Sequence, residues 1–120
     1  MVTKYPRIAV VDDEKSQREI LEMILKSEGY HNLTFHPSGQ NFLEFYSNHD
    51  NAPPDIVLLD TQMVGMTGFE VLEKALQSET FSQTMFIMNS AYFGEERDKR
   101  WAIHIGFEDI LQNRMSVKIC

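Results

Sequence analysis

Apolar residues fall along this chain in short runs that alternate with stretches of helical spacing. Residues 7–11 are a brief β-branched run that predicts a buried strand. Residues 14–28 follow with Ile20, Leu21, Ile24 and Leu25 on one face of a predicted helix. Gly29 supplies the stop, because a left-handed backbone ends a helix cheaply only in a residue that tolerates it. A weaker strand at Leu33–His36 leads through Pro37-Ser38-Gly39 into a helix over 40–47 carrying Phe42, Leu43 and one of Phe45 and Tyr46. Pro53-Pro54 forbids helix and introduces a third strand at 56–59. A loop over 60–67 then precedes a helix over 68–78, with Phe69, Val71, Leu72, Ala75 and Leu76 on its core face. Residues 85–88 read as a fourth strand, 95–105 as a fourth helix and 109–112 as a short fifth strand.

Strands alternating with helices predict an α/β fold, a doubly wound five-stranded parallel sheet with right-handed crossovers, built as one domain over residues 1–120. Ligands of such sheets gather beyond the carboxyl ends of the strands. Asp12 and Asp13 close the first apolar run and Asp60 closes the third. Any one of these aspartates alone reads as a cap or turn residue. If the two strands are neighbours, however, three carboxylates meet in one small space and repel unless a divalent cation joins them. Magnesium suits that donor set, since it takes oxygen ligands and keeps several waters.

Composition narrows the function further. Eighteen acidic against eleven basic side chains give a net charge of -7, which argues against direct binding to nucleic acid or to an anionic membrane. The apolar runs are too short to cross a bilayer and the first residues form no apolar leader. Cys120 is the only cysteine, so no internal disulfide is possible, and a cytoplasmic setting is expected. His31, His36, His49 and His104 lack zinc-like spacing and read as surface or loop residues. Trp101 reads as a core or partly covered residue, and the seven methionines as core filling.

Five stretches stand in a telling order: Val11-Asp12-Asp13-Glu14; Leu58-Leu59-Asp60-Thr61-Gln62-Met63; Gly65-Met66-Thr67-Gly68-Phe69-Glu70; Ser90-Ala91; and Gly106-Phe107-Glu108-Asp109. Together they make residues 7 to about 114 resemble the receiver domain of two-component response regulators, the CheY-like family. The resemblance implies the flavodoxin-like strand order 2-1-3-4-5. It also implies that Asp60 accepts a phosphoryl group from a histidine kinase or phosphotransfer protein, with Mg2+ as cofactor. In that reading Asp13, Asp60 and the backbone carbonyl of Gln62 are direct metal ligands, and Asp12 holds a metal water. Ser90 is the switch hydroxyl that donates to the phosphoryl group, and Ala91 leaves an opening toward Asp60. The changed surface then regulates an output partner that the sequence leaves unidentified. Such a protein accepts and slowly releases its own phosphoryl group, so it is not expected to turn over an external substrate.

The chain departs from the family in two places. Asn113-Arg114 stands where the family carries Lys-Pro, and asparagine brings no charge to a phosphoryl group. Its bond to Arg114 is expected to be trans, and Ile110 replaces the family's strand-five aromatic. Only six residues follow Arg114, so a fifth helix is expected to be short or absent, with residues 115–120 forming at most a turn or two. Bare apolar strand surface would result, and a homodimer or an exchange of elements is the expected cover. Asn113 also supports an alternative, a receiver-like interaction module that works without phosphorylation. A phosphohydrolase of the haloacid dehalogenase type would want a second carboxylate where Gln62 stands, and a cap domain for which the chain has no room.

Overall fold

Ile8–Val11 (β1), all apolar, and Ile56–Asp60 (β3), apolar up to its closing aspartate, are buried along their whole length, as strands covered on both faces must be. The structure, a computed structural model, describes residues 5–89 and the strand at 117–119. Helix α1, Lys15–Ser27, follows β1; Leu33–His36 (β2), Gly39–Ser47 (α2), β3, Gly68–Leu76 (α3) and Met85–Asn89 (β4) come next, and Val117–Ile119 (β5) is the last element. The strands form one parallel sheet in the order β2-β1-β3-β4-β5, the doubly wound arrangement expected from the sequence.

Side-chain alternation divides the core in two. Ala9, Val11, Val57, Leu59, Phe86 and Met88 face α2 and α3, where Phe42, Tyr46, Val71 and Ala75 meet them. Ile8, Val10, Ile56, Leu58 and Ile87 point the other way, and Leu21, Ile24 and Leu25 of α1 cover that side. The helix ends follow local chemistry. The Ser38 hydroxyl accepts the Asn41 amide at the start of α2, and Thr67 does the same for Glu70 at the start of α3. Gly29, at φ +93, closes α1 as its amide donates to the Lys26 carbonyl and the Tyr30 amide donates to that of Leu25.

Several expectations need correction. Phe69 and Leu76 are 54% and 62% exposed, because α3 buries a narrow stripe centred on Val71 and Ala75 rather than its whole apolar arc. The helix stops at Leu76, and a separate 3-10 turn at Glu79–Phe81 carries the chain to β4. Of the two aromatics left open late in α2, Tyr46 is the buried one. His36 is buried rather than a surface residue. Met63 and Met88 do fill the core, whereas Met23 is exposed.

The strand expected at 109–112 and the helix expected at 95–105 lie outside the described residues. The segment expected to form at most a turn or two instead supplies β5, with Val117 beside Phe86 and Ile119 beside Met88 in register. Two β-branched residues in alternation suit such a strand. Among the described residues the sheet face beside α1 is not bare: Ile56, Leu58 and Ile87 are almost wholly covered.

Candidate functional site

The register that pairs Val11 with Leu59 makes Asp12 and Asp60 the next neighbours, at the carboxyl ends of β1 and β3. Adjacent strands lie about 4.8 Å apart, so two aspartates in that position have to crowd. Asp13 follows in the turn to α1, and carboxylate oxygens of Asp12, Asp13 and Asp60 all lie within 4.8 Å of one another.

Backbone bonds aim these side chains. Asp12 Oδ1 accepts the Glu14 amide at 3.0 Å, and Asp60 Oδ1 accepts the Gln62 amide at 3.2 Å. Asp13 Oδ2 accepts the Val64 amide at 3.0 Å, which ties the loop after β3 to the turn after β1. The Asp12 peptide is itself pinned on both sides: its amide donates to the His36 carbonyl at 3.1 Å, and Arg18 Nη1 donates to its carbonyl at 2.8 Å. At Gly68 any Cβ would run into the backbone oxygen of Asp60, so glycine is what lets α3 begin directly against the end of β3.

Electrostatics matches the crowding. Burial pushes the Asp12 carboxyl up to about 6; the Glu14 amide bond works against that, and the charges of Asp60, Asp13 and Glu14 add to it. Three hard oxygen donors packed this closely fit a small divalent cation. Because Asp12 and Asp60 are only 6% and 8% exposed, few water dipoles are available to screen their repulsion.

The structure thus brings Asp12, Asp13 and Asp60 together, with the Gln62 amide bonded to Asp60. In the ladder Asp60 pairs with Asn89, the residue before Ser90. Ser90, Ala91, Asn113 and Arg114 lie outside the described residues. Sequence reasoning missed Arg18 and His36, which touch the main chain of Asp12 and not its carboxylate.

The family model of the response regulator receiver domain matches residues 8–118. The chain is 33% identical over 105 residues to the 3',5'-cyclic-nucleotide phosphodiesterase regA of Dictyostelium discoideum, an alignment covering 88% of this chain and 13% of that protein. It is 28% identical over 109 residues to the phosphate regulon transcriptional regulatory protein PhoB of Pseudomonas aeruginosa, covering 91% of this chain and 45% of that one. It therefore spans less than half the length of either relative. In fold it matches a solved CheY-like receiver domain protein of Methanospirillum hungatei at a TM-score of 0.64 and 20% identity, over 83% of this chain and 94% of the other. Chemotaxis protein CheY4 of Vibrio cholerae matches at 0.65 and 19% identity, over 92% and 99%. With a five-stranded sheet in the order 2-1-3-4-5, acidic side chains gathered at its carboxyl rim and a family match running from β1 into β5, this chain belongs to the response regulator receiver domain family.

Proposed function

We propose that this receiver takes a phosphoryl group onto Asp60 from a phosphohistidine of a histidine kinase or phosphotransfer protein. The observation that carries the reading is the gathering of Asp12, Asp13 and Asp60 at adjoining strand ends in a chain of this family. A carboxylate oxygen of Asp60 attacks phosphorus as the phosphorus–nitrogen bond breaks, and the departing imidazole keeps the electron pair and takes up a proton. Asp13, Asp60 and the Gln62 carbonyl would hold Mg2+, with Asp12 holding a metal water. Bound there, the ion neutralises charge between the acidic cluster and the incoming phosphoryl oxygens.

The chain's own residues do the rest. Gln62 and Val64 orient Asp60 and Asp13 through their amides, and the register of β1 beside β3 keeps all three acids close. Ser90, next in sequence after the strand residue paired with Asp60, is assigned the hydroxyl that swings in to donate to the phosphoryl group. Asn113 offers an uncharged donor where the family has an ammonium, which weakens stabilisation of the phosphorylated form. The output partner is read as a separate protein or a further part of a longer one, since relatives of this domain carry outputs as different as a phosphodiesterase and transcriptional regulators.

Incubation with a small phosphodonor and Mg2+, followed by intact mass, tests the reading. One added phosphoryl group that needs the metal and vanishes in Asp60→Asn is expected. No addition at saturating donor would favour an interaction module that works without phosphorylation.

A further inference from the structure

A buried imidazole lies one ladder bond from the acidic cluster. His36, the last residue of β2, is 3% exposed, and both ring nitrogens are engaged. Nδ1 lies 2.8 Å from Asn41 Oδ1 and Nε2 lies 3.0 Å from Thr34 Oγ1, which in turn is 2.9 Å from the Tyr46 hydroxyl. An amide oxygen only accepts, so Nδ1 carries the proton, Nε2 accepts from Thr34, and Tyr46 is left to donate to Thr34. Every member is satisfied by the neutral ring. Phe42, Phe45 and Tyr46 pack against that ring with centroids 5.1 to 5.6 Å away, so it has no second orientation that keeps both bonds.

This locked ring belongs to the residue whose carbonyl takes the Asp12 amide at 3.1 Å. Its partner Asn41 sits in the first turn of α2, one turn from the Ser38 cap. At Gly39, in the same helix start, a Cβ would run into Val71 and come against the Met66 side chain, in the loop that follows Asp60, so α2 is seated closely there. Fixing His36 therefore fixes two things: the peptide that aims Asp12, and the seating of α2 against the loop beyond Asp60. We infer that His36, held by Asn41 and Thr34, is a positioning residue that sets the spacing of the acidic cluster and so tunes its affinity for a divalent cation. The inference rests on the cation-binding reading proposed above.

Two variants test it. His36→Phe keeps a ring among the three aromatics and removes both hydrogen bonds, while Asn41→Ala removes one bond from the exposed end of the network. Mg2+ affinity by calorimetry, thermal unfolding and hydrogen exchange at the Asp12 amide are read on each. The expected result is affinity weaker by about tenfold in His36→Phe and by a smaller factor in Asn41→Ala, at near-normal unfolding temperature, because outer partners of metal ligands commonly carry such factors. Exchange at the Asp12 amide should quicken in the same order. Folded variants with unchanged Mg2+ affinity and unchanged Asp12 exchange would overturn the inference. If the unaltered protein shows no Mg2+ binding, the exchange result still decides: faster exchange keeps the clamp and rejects the cation reading, while unchanged exchange rejects the clamp.

Discussion

Asp12 and His36 are neighbours across one ladder bond and both are buried, yet their environments are opposite in kind. The imidazole has every hydrogen-bonding group matched in its neutral form and is held away from charge by burial. The carboxyl of Asp12 is crowded by Asp13 and Asp60, and no cationic side chain is among the causes that shift it. A buried polar group matched in its neutral form reads as scaffold, whereas buried carboxylates crowded by like charge read as a site suited to a cation.

The largest expected effect breaks the acidic side of this comparison. Asp13→Asn should weaken Mg2+ binding at least as much as loss of an outer partner, about 10- to 100-fold, with the fold intact by circular dichroism. Next in size is a pH dependence of the metal-free protein. Asp12 titrates near 6 when folded and near 3.8 when unfolded, so the folded state binds its proton more tightly. Its contribution is therefore fully present below about pH 3.8 and is lost as pH rises through about 6, a change on the order of 1–3 kcal/mol. Denaturant titrations of the wild type and Asp12→Asn should show that fall only in the wild type, and Mg2+ at pH 7.5 should restore the lost stability by mass action.

His36 should give the opposite slope. Burial lowers its folded pKa below 6.5, with the Asn41 bond acting in the other direction, so its contribution is present above 6.5 and lost as pH falls. His36→Phe should remove that acid-side loss while leaving the Asp12 slope in place. The smallest effect belongs to neither group. Lys26→Ala breaks an exposed pair with Glu22 at 3.1 Å and should change stability by no more than about 0.5 kcal/mol.

The same contrast explains what could be read from the sequence. An aspartate closing an all-apolar run marks a parallel-strand end, so Asp12, Asp13 and Asp60 were visible as a group once the strands were taken as neighbours. His36 was not, because its partners come from the packing of α2 on β2, although the Thr34–His36 spacing of two already puts both residues on one strand face. Helical periodicity marked Val71 and Ala75 correctly but also admitted Phe69 and Leu76, since an apolar arc in sequence does not say how wide a stripe the sheet will cover. The strand at Val117–Ile119 is not legible in the sequence, because three residues carry little periodic signal and its place is set by pairing with β4.

Residues 12, 13 and 60 are read here as one cation-dependent acceptor. A crystal structure grown with Mg2+ and beryllofluoride, a mimic of the phosphoryl group, tests it most directly. Expected are beryllofluoride on the Asp60 carboxylate and one Mg2+ ligated by Asp13 and Asp60, with Asp12 beside it through water. Beryllofluoride away from Asp60, or the cation bound elsewhere while the three acids keep their present spacing, would contradict it.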